Sequence, residues 1–535
     1  MIEKKVIDVV CGVIKINNQY LIAQRKDCDH EYIWEFPGGK VETNETKEEA
    51  IIRELKEELN IDCQINTYLG KVIDQRSDKD IHVYAYLCEK NNGEITLNDH
   101  YQYQLVNHDE LKNYQFEPCD HQIFDYIKKY DLAYKKLNEV KVFRDPIHHY
   151  IHIEDQVIWD LINSREFQRL RRISQLGGVS ILYHGATHNR FAHCLGVYEI
   201  VLRMCNEIKS LKESINEYEK ILLLCSALLH DIGHGPLSHN FELCLNHHHE
   251  QFSIRIIEEN SEIHRILFRY DPKLIKDIVL ILNKKHPRKG FNQLISSQLD
   301  ADRMDYLLRD AYYCATSYGN FDLERLLRTI RFVDDQLVIK ESGIHCVEDY
   351  IMARYHMYWQ VYLHPVVRSY EIMIQSLFHL LKKTYQESKA TLNDYPMFIP
   401  FLNNEVTIDD FINFDENSCF YGFTLLANSN HFDLSCLSSM ILNRQLFKYE
   451  DFKSKQQIID HKKQLQALGY LSDYYVVLDQ IKKDPYLPYF SYKKEKIMIL
   501  KNDGNIYELS EVSSIVEALS KMNIMEHSKI YYKAI

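Results

Sequence analysis

The chain has 535 residues, 45% hydrophobic and 26% charged, an ordinary balance for a globular protein whose length allows about three or four domains. A formal net charge of −13 excludes a non-specific nucleic-acid or membrane surface, which needs an excess of Lys and Arg, but leaves room for local basic pockets. Thirteen cysteines, an odd number with no CxxC pair, read as reduced thiols and not as a disulfide framework, and no apolar run approaches the ~18 residues of a membrane span. Met1 to Lys5 leads straight into strand-like Val6 to Ile16, so no targeting peptide is expected and a cytoplasmic location is.

Val6 to Ile16 and Gln19 to Ala23 read as strands about the turn Asn17-Asn18. The turn-rich loop Trp34-Glu35-Phe36-Pro37-Gly38-Gly39-Lys40 follows. Thr46 and Glu49 form a capping box that opens a helix with the apolar stripe Ile51, Leu55 and Leu59. Glu54, Glu57 and Glu58 fall at i, i+3 and i+4 on an adjacent face. Three carboxylates so placed repel one another, and a hard divalent cation would offset the repulsion and take the oxygens as ligands. Asn60 sits where a left-handed residue would end the helix.

Written out, Gly39-x5-Glu45-x7-Arg53-Glu54-Leu55-x-Glu57-Glu58-x-Asn60-Ile61 resembles the Nudix box of the Nudix hydrolases, with Asn60 where the family has Gly. The resemblance implies an α/β/α sandwich over residues 1–132. It implies Mg²⁺ held by Glu54, Glu57 and Glu58, with Glu57 also catalytic, and hydrolysis of a nucleoside diphosphate linkage that releases pyrophosphate or a monophosphate. Acids are needed because a metal must polarise the phosphoryl oxygen and the attacking water. Arg25 and the 34–40 loop resemble the branch that cleaves 8-oxo-dGTP or CTP and its analogues. In that branch an acid before the last strand assists the metal, and Asp99 falls closest here. A short polar residue reads the base, and here that is Asp120.

Lys128 to Lys141 is polar with little periodicity and marks a boundary; Asp145-Pro146 marks a turn. Trp159 to Ile173 has a helical pattern, and its strongly basic stretch Glu166 to Arg172 reads as a solvated face, or as an anion clamp if a phosphate lies near. Ile221 to Leu229 is apolar except for Ser226 and ends in His230-Asp231. That pattern suggests a buried helix whose end holds a metal, with mixed N/O donors that suit Fe, Mn, Zn or Mg. The tail mixes helical segments with a strand over Lys494 to Leu500 and a turn at Asp503-Gly504. His247-His248-His249 reads as loop in preference to a metal tract.

Three blocks of text carry the second resemblance: His188-Asn189-Arg190-Phe191-x-His193-x-Leu195-Gly196, Leu228-x-His230-Asp231-Ile232-Gly233-His234-Gly235-Pro236-x-Ser238-His239, and Asp300-Ala301-Asp302-Arg303-x-Asp305-Tyr306. They resemble the HD-domain phosphohydrolases and, among these, the dNTP triphosphohydrolases of the SAM-and-HD-domain group, from about Lys141 to the C-terminus. A Nudix domain stands where that group has its SAM domain. The implied fold is multidomain: the Nudix sandwich, then a mainly α-helical HD domain over 138–395, then a small α+β lobe over 396–535.

By the same resemblance His193, His230, Asp231 and Asp302 hold a divalent ion, leaving two octahedral positions for water and a phosphate oxygen. His239 is the general acid to the leaving 5′-oxygen, with Glu242 orienting it, and His234 and His249 contact phosphates. Arg190, Arg303 and Arg354 neutralise the triphosphate. Gln175, Leu176, Tyr306, Asp310 and Tyr362 line the sugar. Tyr362 packed against C2′, with Asp310 and Gln175 on the 3′-hydroxyl, would exclude ribose. Relatives of this kind assemble as homo-oligomers, tetramers or dimers, and are activated by nucleotides at a second site. The matching stretch here holds Lys141, Val142, Gln168 and Arg171, with Asn163 in place of the acid that reads guanine. The expected protein is therefore a bifunctional hydrolase of nucleoside triphosphates. The alternatives are a Nudix domain that senses nucleotides for the HD enzyme, or an HD unit that acts on another nucleotide.

Overall fold

The computed structural model describes residues 4–17, 19–26, 33–133, 135–238, 240–242, 248–403, 405–480, 496–521 and 528–535. They form two compact units, Met1–Lys136 with Asn216–Glu219, and Leu137–Ile215 with Lys220–Ile535. Among the described residues, no helix is long and apolar enough to cross a membrane.

In the first unit, strands β1 (Lys5–Ile16), β2 (Gln19–Arg25), β3 (Trp34–Glu35), β4 (Asp62–Gln75), β5 (Lys79–Asn92) and β6 (His100–Val106) form one sheet. Its order is β3-β2-β1-β5-β4, with β6 also on β2. β1 and β5 run parallel, in register from Lys5 opposite Lys79 to Lys15 opposite Glu89, while β2 runs antiparallel to β1, β3 and β6. Side chains alternate across a strand, and that period builds two apolar layers. Val10, Ile14, Leu21 and Ala23 pack with Ile51, Leu55 and Leu59 of α1 (Lys47–Leu59). Cys11, Val13, Tyr20 and Ile22 pack on the other face with Ile123 and Ile127 of α2 (His121–Ala133). This is the expected α/β/α sandwich. α1 opens on the Thr46/Glu49 capping box and stops at Asn60, whose left-handed backbone (φ 54°) lets its N–H reach Lys56 O.

The second unit is mainly helical. It begins with a hairpin, β7 (Lys136–Asp145) and β8 (His149–Asp155). The helix expected over 159–173 is broken. One helix, α3 (Gln156–Asn163), ends at Ser164, whose side chain caps the next, α4 (Arg165–Arg169). The basic stretch is a solvated face only in part: Arg171 and Arg172 are exposed, but Arg169 is not. Arg169 is buried and donates to His234 O at 2.8 Å and Phe414 O at 3.0 Å. Burial pushes its guanidinium down to about 9. A helical pattern does not distinguish an arginine that points inward to bind carbonyls from one that points to water.

Strands Ile330–Val333, Gln336–Lys340, Met498–Leu500 and Ile506–Glu508 form a four-stranded sheet in which 336–340 runs parallel to 498–500. A segment near the C-terminus thus returns to the middle of the chain. Lys448–Asp451, Ser528–Tyr532 and Val476–Gln480 form a three-stranded sheet. Three helices frame the site described next: Arg190–Glu207, Glu217–Leu229 and Ala301–Tyr313.

Candidate active sites

His193 lies in the first turn of helix Arg190–Glu207, which is capped by the Asn189 side chain. Ile221 through Leu229 are all buried, which fixes the end of their helix in the core and sets His230 and Asp231 directly beyond it. Asp302 is in the first turn of helix Ala301–Tyr313, capped by Asp300. The fold brings the four side chains together. His193 Nε2 is 3.1 Å from Asp302 Oδ1 and 3.7 Å from Asp231 Oδ2. His230 Nε2 is 3.6 Å from Asp231 Oδ1 and 3.7 Å from Asp302 Oδ1. Donors that sit about 2.0–2.2 Å from one ion are separated by distances of this order.

The donor set fits a divalent ion on two further observations. His230 Nδ1 donates to Ala227 O at 2.8 Å, which leaves Nε2 as a lone pair, and that Nε2 is buried without a hydrogen-bond partner. His193 Nδ1 donates to Asp305 Oδ2 at 2.7 Å, which likewise turns Nε2 toward the cluster. Burial resists charge on Asp302, yet the hydrogen bond from His193 and the nearby His230 ring hold it well below the usual carboxylate range. Burial also opposes a proton on His193, but Asp302 and Asp305 outweigh it and raise its pKa. Such a cluster of opposed charges holds a proton until a cation replaces it.

Asp231 belongs to a second group with His234 and His249. His234 Nε2 is 3.3 Å from Asp231 Oδ1, and the two imidazoles stack at 3.9 Å. Glu242 accepts from His249 Nδ1 at 2.9 Å and lies 3.0 Å from His234 Nδ1. His239, expected to be oriented by Glu242, lies outside the described residues, as does His247. Burial, reinforced by Arg190 and His249, pushes His234 down to about 4, whereas Glu242 outweighs burial to raise His249. Arg190 is buried and bonds both Asp231 and Ser238 Oγ.

A cavity of about 470 Å³ opens from these groups, lined by Asp231, Asp302 and Arg190 and also by Gln175, Leu176, Tyr306, Asp310 and Tyr362. Tyr362 donates its hydroxyl to Asp310 Oδ2 at 2.6 Å, and His188 Nε2 holds Oδ1 at 2.7 Å. Gln175 Oε1 is buried without a partner. The expected clamp of three arginines is only partly present. Arg303 and Arg354 are not among the cavity's lining residues; Arg303 is tied to Asp300 and Arg354 to Gln298 Oε1 at 3.0 Å. Both follow a buried acceptor on their own side of the core, which the linear text does not show.

In the first unit the three glutamates are arranged differently. Arg53 donates to Glu54 at 3.0 Å, to Glu57 at 3.2 Å and to Glu45 at 2.7 Å. Glu58 accepts from Gly38 N–H at 2.9 Å. A Cβ on Gly39 would come 2.3 Å from Glu54 Oε1, so glycine there lets the carboxylate lie against the loop. The three carboxylates are not gathered within 4.8 Å as the HD groups are: Arg53 Nη1 bridges Glu54 and Glu57, whereas Glu58 turns to the Gly38 N–H. Burial, aided by Glu35 and Glu54 against His100, pushes Glu58 up to about 7. Arg25 pairs with Glu35 at 2.5 Å, and Glu35 meets His100 Nε2 at 3.1 Å. Asp120 is pushed up to about 7, by burial first and then by Glu35. Asp99 is exposed just before β6.

Three comparisons decide the family. The NUDIX domain matches residues 6–127, the HD domain 190–310 and the HD associated region 321–414. YwfO, an uncharacterized protein of Bacillus subtilis, is 43% identical over 403 residues, covering 74% of this chain and 93% of that protein. The chain belongs to the HD-domain family and carries a Nudix domain ahead of its HD domain. The Dictyostelium discoideum homolog of SAMHD1, a deoxynucleoside triphosphate triphosphohydrolase, is 32% identical over 263 residues, 46% of this chain and 51% of that protein. A solved phosphohydrolase of Bacteroides thetaiotaomicron has a TM-score of 0.65 at 29% identity and covers 74% of this chain and 100% of its own. The two domains and these relatives make this HD-domain protein a nucleotide hydrolase.

Sequence reasoning gave no role to Asp305, His148 or Arg309 and read Asp145 only as part of a turn, yet all four stand behind His193. Asp305 was visible three residues after Asp302 in the third HD block, a spacing that puts both on one helix face. The candidate effector residues are near the surface. Val142 and Asn163 are exposed, Lys141 pairs with Glu139 at 2.7 Å, and Arg171 donates to Gln168 Oε1 at 2.9 Å.

Proposed function

We propose that the HD unit hydrolyses a dNTP to deoxynucleoside and triphosphate. The reading rests chiefly on one observation: the cavity that includes Asp231 and Asp302 also includes the Tyr362–Asp310 pair. A divalent ion bound by His193, His230, Asp231 and Asp302 would supply positive charge against the phosphate and acidify the attacking water. Arg190 adds a fixed guanidinium beside Asp231. His234 and His249, stacked and both turned to Glu242, present one neutral and one more basic ring to the polyphosphate. Tyr362, locked by Asp310, forms a rigid wall at the sugar, and Gln175 Oε1 offers an acceptor to the 3′-hydroxyl. His239 is the proposed proton donor to the 5′-oxygen.

For the Nudix unit we propose hydrolysis of a nucleoside triphosphate, modified bases included, to monophosphate and pyrophosphate. Glu54, Glu57 and Glu58 would hold Mg²⁺ once Arg53 yields, and Asp120 in its buried setting beside Glu35 would read the base. The whole chain would then work as a homo-oligomer with a nucleotide activator at Lys141, Val142, Asn163, Gln168 and Arg171. The eleven described cysteines are free thiols, which suits a reducing cytoplasm. Product analysis on four dNTPs, four NTPs and 8-oxo-dGTP, with Asp231→Ala and Glu57→Gln as controls, tests both readings. Release of inorganic phosphate or pyrophosphate alone from Glu57→Gln protein rejects the triphosphohydrolase.

A further inference from the structure

Behind His193 lies a chain of buried polar groups that leads to the turn of the β7–β8 hairpin. Asp305 is fully buried and accepts four hydrogen bonds. His193 Nδ1 and Arg309 Nε reach Oδ2 at 2.7 and 2.9 Å. His148 Nε2 and Arg309 Nη2 reach Oδ1 at 2.7 and 2.8 Å. Arg309, also fully buried, continues to Asp145, with Nη1 at 2.7 Å from Oδ2 and Nη2 at 3.3 Å from Oδ1. Asp145 Oδ1 then accepts the backbone N–H groups of Ile147 and His148 at 2.9 and 3.0 Å. One carboxylate therefore closes the hairpin turn and binds the arginine that holds Asp305.

Two features set this arrangement apart from ordinary core satisfaction. Asp145 is the single buried residue of β7, so the most deeply buried contact of that strand is an ion pair, beside half-buried Phe143 on Trp159 and Phe191. The helix carrying His193 also comes unusually close: a Cβ on Gly196 would lie 1.8 Å from Asp305 Oδ1.

We infer that the β7–β8 turn is a positioning device for the metal ligand, in which Asp145 and His148 fix Asp305, and Asp305 fixes the tautomer and ring orientation of His193. This rests on the metal-site reading of the HD unit. A carboxylate with four donors has no freedom to rotate, so the ring it holds has none either. Two carboxylates against one guanidinium leave a net negative charge behind His193, which strengthens Nε2 as a donor to a cation. His148, Asp305, Arg309 and Asp145 are positioning residues and do not touch substrate.

The test is Co²⁺ titration of the full-length chain, followed by visible absorption, in a Glu57→Gln background that weakens the Nudix site. His148→Leu removes one donor to Asp305 and is expected to weaken Co²⁺ binding by about 10–100-fold. His148→Gln keeps an amide donor at the Nε2 position and is expected to recover most of that affinity. Melting temperatures without metal should be alike for the two variants. Equal Co²⁺ affinity for His148→Leu and its parent overturns the inference. If the parent binds no Co²⁺ that Asp231→Ala removes, the metal reading fails first and this inference with it. Should His148→Leu not fold, Asp145→Asn takes its place: weaker binding supports the chain and unchanged binding overturns it.

Discussion

His193 Nε2 lies 3.1 Å from Asp302 Oδ1, although 109 positions separate the two residues in the chain. Each belongs to the first turn of a different helix, and the two helices meet at Gly196 and Asp305. Two imidazoles and two carboxylates at that spacing are stable only with a proton or a cation among them.

Removal of the metal should therefore silence the HD unit. Metal polarisation contributes several kcal/mol to phosphoryl chemistry, which is roughly a thousandfold in rate. Asp302→Asn is expected to lower kcat for triphosphate release by about that factor. Dialysis against a chelator should do the same to the parent protein, with recovery on adding a divalent ion. Full activity in chelator would refute the site.

Tyr362→Ala should admit ribonucleotides. The ring is held by Asp310 at the cavity wall, and a single group in a pocket is worth about 1–3 kcal/mol, or roughly 10–200-fold. The ratio of kcat/KM for dGTP over GTP is expected to fall by a factor in that range. An unchanged ratio would remove Tyr362 from sugar selection.

The Nudix unit should show a pH-dependent affinity for Mg²⁺. Glu58 has its pKa raised to about 7, so the neutral carboxyl favours the folded state. That contribution is complete below the ordinary value of 4.5 and is lost as pH rises through about 7. Mg²⁺ needs the ionised form, so its affinity should climb through the same window and level off above it. Calorimetric titration between pH 6 and 8 checks the slope, which Glu58→Gln should abolish.

The two activities should separate by mutation. Glu57→Gln is expected to stop release of monophosphate and pyrophosphate while triphosphate release continues, and Asp231→Ala the reverse. Loss of both products in either variant would argue for a single site and a sensing role for the other domain.

Gly196→Ala should destabilise the second unit. The added carbon would stand 1.8 Å from Asp305 Oδ1 and 2.5 Å from Arg309 Nη2, both in a buried charge cluster. Overpacking costs about 1–3 kcal/mol and breaking buried pairs about 3–5 kcal/mol, so a loss of at least about 3 kcal/mol is expected. A melting temperature equal to the parent's would count against that packing.

Much of both sites was legible because their chemistry is written in short, rigid blocks. The Glu54, Glu57 and Glu58 spacing, the capping box at Thr46 and the stop at Asn60 are local, and helix geometry alone places them. The His230-Asp231 pair at the end of an apolar run is local too. Arg303 and Arg354 were not legible in the same way. Whether an arginine faces a cavity or a buried acceptor such as Asp300 or Gln298 depends on neighbours brought in from elsewhere in the fold. Arg53 shows the same limit, since the motif names it but not that it holds Glu45, Glu54 and Glu57 at once.

The sequence by itself determined the two domain types, the metal-ligand candidates and, through the resemblance to the Nudix family, the α/β/α layering of the first unit, because the motifs that carry the two resemblances are short blocks, each confined to a few turns of chain. Tertiary structure decided what surrounds them: Asp305 behind His193, Glu242 against the Nδ1 atoms of two stacked histidines, and a C-terminal strand returned to residues 336–340. Those relations depend on which buried polar groups find partners across the core. Which of these groups find partners, and which, like His230 Nε2 and Gln175 Oε1, are left facing a site, is settled only once the whole chain has packed.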